Sequence, residues 1–315
     1  MTRNTENRHA GSVPATADGT AATAAGRTFG TSMNMYLLKK RQKLQFLASV
    51  FMVSTLLFVS CSGGTAPFQR ARIMEGAPNF RDLGAYPSEN GKHTVSRKIF
   101  RSQMLAQLSD SDMAKMKEWG VRTVIDFRGD AEVSEKPSRL PEGVKMIRLP
   151  VDLGRNDTLQ LMQQLMSGSL DSARCVAFMQ EANRRFVTEF IPQYRAFFDI
   201  LLQAESYPAV FHCTEGKDRT GFAAAMLLSA LGVDWDTVMA DYLLTNQCLK
   251  PPAPAPQLPE QAISALRQMR GVQPSYLNAA KEEIIKRYGS IDNYLYQALN
   301  VGEAEKDRLK QYLLE

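Results

Sequence analysis

The chain has few histidines and few cysteines for its length. Its three histidines are His9, His93 and His212, and no two of them have the spacing of zinc ligands, so we expect no zinc site. Of the four cysteines, Cys175 and Cys248 are expected to be buried thiols, with a disulfide between them as the alternative. No internal repeat divides the 315 residues, which are enough for one large domain or two small ones.

Excess positive charge is confined to the first 60 residues. The whole chain has 38 Lys and Arg against 33 Asp and Glu, a net charge of +5. Residues 1–60 hold seven of the basic and two of the acidic residues, which leaves 31 of each in the remainder. Residues 61–315, which have no basic run, lack the electrostatic footprint of a nucleic-acid-binding protein. We therefore expect no nucleic-acid partner.

No apolar run reaches the ~20 residues that a membrane-spanning helix needs, but a shorter one has the context of a secretory signal. Four basic residues between positions 39 and 43 precede the apolar residues 46–59, and Ser60-Cys61 follows. This is the order of parts in a signal peptide, and residues 57–61 resemble a bacterial lipobox in which Phe58 replaces the preferred leucine. We predict a lipoprotein signal peptide over residues 33–60 and lipid attachment at Cys61. The protein would then be anchored to a membrane of the bacterial cell envelope, outside the cytoplasm, with an uncleaved anchor as the alternative.

The remaining boundaries follow from composition. Residues 1–32 are rich in Ala, Thr and Gly without apolar periodicity, so they are predicted to be disordered, or untranslated if synthesis starts at Met33 or Met35. Residues 61–72 form a tether, and residues 73–315 form the folded domain.

Residues 210–221 read Val-Phe-His-Cys-Thr-Glu-Gly-Lys-Asp-Arg-Thr-Gly. The apolar residues 209–211 predict a buried strand, and the apolar run that begins at Phe222 predicts a helix. The residues between them form a tight loop that ends at a helix N-terminus. Such a loop turns its backbone N–H groups inward and adds the positive end of the helix dipole, so it predicts a phosphate-binding site.

The side chains of this loop indicate what happens to the phosphate. Cys213 would lie at the floor of a positively charged site that favours the nucleophilic thiolate. Arg219 has the planar fork that holds two phosphate oxygens, and Thr220 can donate its hydroxyl to the thiolate. The phosphate-binding residues are predicted to be Thr214, Glu215, Gly216, Lys217 and Thr220.

The loop also resembles a known family. His212-Cys213, followed after five residues by Arg219-Thr220-Gly221, is similar to the signature loop of the cysteine-dependent protein tyrosine phosphatases, and residues 216–220 resemble its atypical bacterial PtpB-like branch. Further resemblance to this branch covers residues 75–313 and is carried by residues 79–84, 100–102, 124–128, 276–277 and 294–295. It implies a phosphatase domain over residues 73–315, a phosphocysteine intermediate, no metal or organic cofactor, and a phosphorylated protein as substrate.

Three other functions stay open at this point. Asp218-Arg219-Thr220 also resembles the motif of myotubularin-type and Sac-type phosphatases, so a phosphoinositide is the alternative substrate. A rhodanese-like sulfurtransferase also places a cysteine after a strand, although the ending Asp-Arg-Thr-Gly favours a phosphatase. A lipoprotein that only binds phosphate is the non-catalytic alternative.

Two aspartates are candidates for the general acid. Asp218 lies inside the loop and is favoured for its proximity to the phosphate, whereas Asp152 follows the predicted strand 144–149, where many phosphatases of this superfamily carry their acid on a mobile loop. Arg81 is a candidate for the phosphate pocket. Its alternative role is a buried ion pair that fixes the first strand.

The predicted fold is α/β. Strands at residues 121–127, 144–149 and 209–212 alternate with helices, which indicates a mainly parallel sheet flanked by helices, with ligands bound at the carboxyl ends of its strands. Residues 154–185 form a helical insertion, either a mobile lid or ordinary packing, and the C-terminal half is helical. Aromatic residues at positions 186, 190, 194 and 197 predict one face of a helix that Pro192 kinks.

Overall fold

In the part of the chain that the structure describes, five short strands form one mixed sheet in the order β1-β2-β5-β3-β4. The strands are β1 (Arg81–Asp82), β2 (Ile99–Ser102), β3 (Thr123–Asp126), β4 (Lys145–Arg148) and β5 (Ala209–His212). β1 is antiparallel to β2, and the other neighbouring strands are parallel. The predicted mainly parallel sheet is therefore confirmed, with β5 at the predicted bounds.

This computed structural model describes residues 70, 73–154, 163, 164, 167, 171–249 and 260–315. The predicted signal peptide, Cys61, most of the tether and the first helix of the insertion lie outside the described residues. Among the helices that are described, none combines the length and the apolar character needed to cross a membrane.

The helices of the described residues are numbered here in chain order. They are α1 (Asp110–Glu118), α2 (Asp130–Glu135), α3 (Ser172–Thr188), α4 (Ile191–Leu201), α5 (Arg219–Ala230), α6 (Trp235–Leu243), α7 (Thr245–Cys248), α8 (Glu260–Arg270), α9 (Pro274–Tyr288), α10 (Ile291–Gln297) and α11 (Glu303–Leu313). The helical C-terminal half is as predicted.

The sheet separates two hydrophobic cores, because successive side chains of a strand point to opposite faces. Phe100, Val124 and Val210 pack in one core with Met116 of α1. The neighbouring residues of the same strands, Ile99, Ile125 and Phe211, pack in the larger core with residues of α3, α4, α5 and α9. Both faces of the sheet are therefore covered. The ends of its strands are not covered in this way, and a ligand would bind there.

One helix prediction is wrong. The aromatic face expected on a single kinked helix is divided between α3, which ends at Thr188, and α4, which begins at Ile191. Pro192 lies in the first turn of α4, where its missing N–H has no helical acceptor to lose. The aromatic residues are nevertheless buried as expected, because the two helices pack against the same core.

Strand β2 was not predicted. Its four residues, Ile-Phe-Arg-Ser, are all buried, but an arginine in the middle interrupts the apolar pattern that indicates a buried strand. Arg101 is nonetheless fully buried, because its guanidinium forms an ion pair with Asp241 of α6 at 2.6 Å.

Candidate active site

The loop between β5 and α5, here called the signature loop (residues 213–218), has Cys213 at its start and Arg219 directly after it. The Sγ atom of Cys213 accepts a hydrogen bond of 3.3 Å from the backbone N–H of Gly216. Gly216 has φ +70°, and a Cβ atom there would lie 2.4 Å from the carbonyl oxygen of Ser102. Only glycine fits this position, and the turn that it permits points an amide at the sulfur.

Arg219 is held by Glu132, a residue that the sequence analysis missed. Its Nη1 donates to Glu132 Oε2 at 2.7 Å, and its Nη2 donates to Glu132 Oε1 at 2.8 Å. Burial raises the pKa of Glu132, but the hydrogen bonds and charge of Arg219 outweigh it and hold this pKa at about 2. The same carboxylate raises the pKa of Arg219. Because both groups stay charged, the bidentate pair fixes the orientation of the guanidinium.

The local sequence around Glu132 indicates only a helix start. Glu132 is the third residue of α2, and its Oε2 accepts the N–H of Gly129 at 2.8 Å, as the acidic residue of a capping box does. Its partner Arg219 lies 87 residues later in the chain. Glu132 also accepts the hydroxyl of Thr214, so it fixes a predicted phosphate-binding residue as well.

Lys217 and Asp218 form an ion pair inside the signature loop. Lys217 Nζ lies 2.8 Å from Asp218 Oδ2, and Lys217 is buried. The other carboxylate oxygen, Oδ1, is buried without a hydrogen-bond partner among the described residues. Of the two candidate acids, Asp218 is the one that lies in the signature loop.

Asp152, the second candidate acid, lies beyond the end of β4. It is exposed, and its Oδ1 accepts the N–H of Gly154 at 3.0 Å. The carbonyl of the preceding residue, Val151, accepts from Arg219 Nη1 at 3.3 Å. Asp152 therefore borders the site from the side of Arg219.

Arg81 is not placed where it could contact a phosphate. It has no exposed surface, and its Nε donates to Asp241 Oδ1 at 3.0 Å. Its other nitrogens donate to Asn79, Thr245 and the carbonyl of Asp241. The geometry corresponds to the alternative role, a buried ion pair that fixes β1.

Glu215 in the signature loop, and Thr220 and His212 on either side of it, have more limited contacts. Glu215 forms an ion pair with Arg270 of α8, at 3.7 Å, and burial raises the pKa of its carboxyl. The buried hydroxyl of Thr220 has no hydrogen-bond partner among the described residues, so its predicted donation to Cys213 is not made in this structure. Burial also lowers the pKa of His212 to about 4, which keeps this imidazole neutral beside Cys213.

Two predictions concern groups outside the loop. Cys175 and Cys248 are both buried, and no disulfide joins them in the described part of the chain. Within the same residues, no three His, Cys, Asp or Glu side chains are grouped so that they could hold a metal ion.

Comparison with known proteins bears on the whole domain. A family model described as the tyrosine phosphatase family matches residues 73–315. The triple specificity protein phosphatase PtpB of Mycobacterium tuberculosis is 30% identical over 284 residues, which cover 77% of this chain and 99% of the relative. A Cupriavidus necator protein with a provisional tyrosine-protein phosphatase name is 32% identical over 240 residues, covering 72% of this chain and 83% of its own.

Among solved structures, TpbA of P. aeruginosa matches 62% of this chain and 97% of its own, with 16% sequence identity and a TM-score of 0.27. The family match and the two sequence relatives carry the assignment, and this structural match adds no argument to it.

Proposed function

The chain belongs to the tyrosine phosphatase family, and we propose that it hydrolyses phosphotyrosine in proteins with Cys213 as nucleophile and Asp218 as general acid. Family membership makes it a cysteine-dependent phosphatase, and it leaves the sulfurtransferase and the non-catalytic alternatives without support. The observation that carries the assignment of roles is the signature loop, in which an amide faces the Cys213 sulfur and Glu132 fixes Arg219.

The proposed reaction has two steps in line. Cys213 Sγ attacks phosphorus, the bond from phosphorus to the leaving oxygen breaks, and Asp218 gives that oxygen a proton. Water then attacks the phosphocysteine, the bond between sulfur and phosphorus breaks, and the thiolate and inorganic phosphate are released. In both steps the loop amides and Arg219 hold the negative charge on the equatorial oxygens.

The position of Lys217 and Asp218 supports the choice of acid. Asp218 is the N-cap of α5, at the helix N-terminus where a phosphate is favoured by unpaired N–H groups and by the helix dipole. Lys217 Nζ, 2.8 Å from Oδ2, supplies a second cation near the same phosphate. A proton moved to the leaving oxygen would leave the Asp218 carboxylate beside this cation.

A phosphoinositide is the second candidate substrate. It is favoured by the buried cation of Lys217, since an inositol headgroup carries more than one phosphate. We rank it second because the family model that matches residues 73–315 is that of the tyrosine phosphatase family.

Two measurements test the proposal. The Cys213→Ser variant should release no phosphate, because a serine hydroxyl is not ionised in this site, but it should still bind phosphotyrosine peptide in a calorimetric titration. Full turnover by this variant would refute the covalent mechanism. A comparison of phosphotyrosine, phosphoserine and phosphothreonine peptides with phosphoinositide vesicles should give the highest kcat/KM for phosphotyrosine, and a higher value for the vesicles would replace the proposed substrate.

The sequence pattern before Cys61 supports a location as well. We propose that the chain is lipid-anchored at Cys61 in the cell envelope, which would place the phosphatase domain outside the cytoplasm, on a short tether from the membrane surface.

A further inference from the structure

A buried group of charged side chains lies against the signature loop. Asp241 of α6 accepts hydrogen bonds from Arg81 Nε at 3.0 Å, from Arg101 Nη1 at 2.6 Å and from the hydroxyl of Tyr86 at 2.8 Å. These four residues, here called the Asp241 cluster, are almost completely buried, the most exposed being Tyr86 at 7%. They join β1, β2 and α6 into one unit.

The Asp241 cluster carries one net positive charge. The two arginines remain charged, since a guanidinium does not lose its proton in a protein. Burial raises the pKa of Asp241, but the charges of Arg81 and Arg101 outweigh it and hold this pKa far below its usual value, so the carboxyl is ionised. Burial and the charge of Asp241 raise the pKa of Tyr86, which stays neutral. An excess buried charge is costly unless polar groups solvate it.

Carbonyl groups of the signature loop supply that solvation. Arg101 Nη2 donates to the carbonyl of Gly216 at 2.7 Å and to that of Lys217 at 3.4 Å. The carbonyl of Glu215 accepts from Asn79 Nδ2 at 2.7 Å, and the side-chain oxygen of Asn79 accepts from Arg81. Three consecutive carbonyls of the loop are thus tied, directly or through Asn79, to the arginines that share Asp241.

The orientation of these carbonyls determines the orientation of the amides. In a trans peptide the C=O and the following N–H point in opposite directions. The peptide between Glu215 and Gly216 shows this, because its oxygen meets Asn79 while its N–H meets Cys213 Sγ. By the same geometry, Arg101 turns the N–H groups of Lys217 and Asp218 away from the Asp241 cluster.

We propose that Arg101, held in place by Asp241, is a positioning residue that keeps the amides of the signature loop turned toward the phosphate. Arg101 acts through the carbonyls of Gly216 and Lys217 and touches neither the substrate nor the reacting atoms. Arg81 holds the same carboxylate, but it reaches the loop only through Asn79. The inference rests on the proposed function insofar as the loop must bind a phosphate.

The difference between the two arginines provides a matched test. Arg101→Lys and Arg81→Lys in the full chain each replace a fully buried guanidinium bound to Asp241, so both should lower the thermal unfolding midpoint to a similar extent. Lysine has a single ammonium that cannot bridge Asp241 and the Gly216 carbonyl as the fork does. Arg101→Lys should therefore weaken binding of orthovanadate, a phosphate analogue, roughly tenfold, as expected for the loss of a hydrogen bond to a charged donor.

Binding of orthovanadate is measured by calorimetry below the unfolding transition of each variant. Arg81→Lys should change the dissociation constant by less than about a third of the change in Arg101→Lys, since its link to the loop is indirect. If both variants lose stability equally and neither changes its affinity for orthovanadate, the Asp241 cluster has only a structural role. That result would overturn the proposal.

A second variant decides the question if Arg101→Lys does not fold. Arg101→Met occupies a similar volume and leaves Asp241 its ion pair with Arg81, but it removes both hydrogen bonds to the carbonyls of Gly216 and Lys217. It should also weaken orthovanadate binding, and unchanged affinity would contradict the proposal. Because binding is measured without turnover, an enzyme that binds orthovanadate but does not hydrolyse phosphotyrosine would refute the proposed substrate and not this inference.

Discussion

At the scale of single residues, the orientation of Arg219 depends on the carboxylate of Glu132. Glu132 binds both terminal nitrogens of Arg219 and the hydroxyl of Thr214. Its own orientation is set by the N–H of Gly129 at the start of α2. One acidic side chain therefore orients two groups of the phosphate site.

Glu132→Gln should lower kcat about tenfold, because the neutral amide cannot keep the charged bidentate contact with Arg219. Steady-state kinetics with a phosphotyrosine peptide checks this expectation. Glu135→Gln is the control, since Glu135 is on the same helix but pairs only with the exposed Lys136, at 3.6 Å. If Glu135→Gln lowers kcat as much as Glu132→Gln does, the loss comes from a disturbance of α2 as a whole and not from the contact with Arg219.

The ion pair between Glu132 and Arg219 predicts that the free energy of unfolding depends on pH. The folded-state pKa of Glu132 is lowered from 4.5 to about 2, so its ionised form stabilises the fold above pH 4.5, and this contribution is lost as the pH falls from 4.5 toward 2. The difference in unfolding free energy between the wild type and Glu132→Gln should therefore shrink over this interval. Denaturant unfolding at several pH values measures it, and a constant difference would contradict the ion pair.

The two candidate acids differ in position and can be separated by the leaving group. Asp218→Asn should slow hydrolysis of phenyl phosphate far more than that of an activated aryl phosphate, because a good leaving group departs without a proton. Asp152→Asn, a change at an exposed side chain bordering Arg219, should not show this selectivity. Kinetics with both substrates decides the assignment. If the selective loss appears in Asp152→Asn and Asp218→Asn slows both substrates equally, Asp152 is the acid.

At the scale of elements, the first turn of α5 is in close contact with α6. A Cβ atom at Gly221 would lie 2.9 Å from two ring carbons of Tyr242 and 3.3 Å from Arg101 Nη2. Tyr242 is 1% exposed, so the ring cannot swing out of the way. The glycine after Arg219-Thr220 thus lets α6 approach the signature loop closely enough for Asp241 to reach Arg101.

Gly221→Ala should destabilise the protein by about 1–3 kcal/mol, the usual cost of overpacking a core. The sign is informative, because the same change in an unconstrained helix interior stabilises by up to about 1 kcal/mol. Urea unfolding measures the free energy. A gain in stability would show that Tyr242 and α6 can shift at little cost, and it would remove the close approach as the reason for this glycine.

At the scale of the whole molecule, the signature loop is held by distant parts of the chain. Glu132 holds it through Arg219 and Thr214, Arg101 through the carbonyls of Gly216 and Lys217, and Asn79 through the carbonyl of Glu215. Each of these residues precedes the loop by more than 80 positions in the sequence. The site therefore depends on residues that lie far apart in the sequence, from Asn79 to Arg219.

The proposed anchor also concerns the whole molecule. Mass spectrometry of the membrane fraction should find a mature chain that begins at a lipid-modified Cys61, because a basic segment and an apolar run precede this cysteine. Cys61→Ser should release the phosphatase activity from the membrane fraction. Recovery of an unprocessed chain that retains residues 39–59 would refute lipid attachment.

Predictions from the sequence succeeded where the information is local. The strand, loop and helix that form the phosphate site occupy residues 209–230, and their apolar runs and glycines determine that conformation within a few residues of each position. Cys213 as nucleophile and Arg219 as the group that holds the phosphate could therefore be proposed together with the loop. The parallel strands β3 and β5 were predictable for the same reason, since each is a short buried run between helices, and β4 lies within the predicted strand 144–149.

The roles of buried charges depended on tertiary structure. Sequence alone left Arg81 between a phosphate ligand and a buried ion pair, because its partner Asp241 lies 160 residues away. Glu132 had only the pattern of a helix start, and the arginine of β2 concealed a buried strand. An isolated charge in a sequence predicts solvent exposure, since burial is too costly without a partner. Only the folded chain brings the partners together, so the sequence by itself determined the loop and the place of Cys213 in it, while the tertiary structure decided which charges hold them in place.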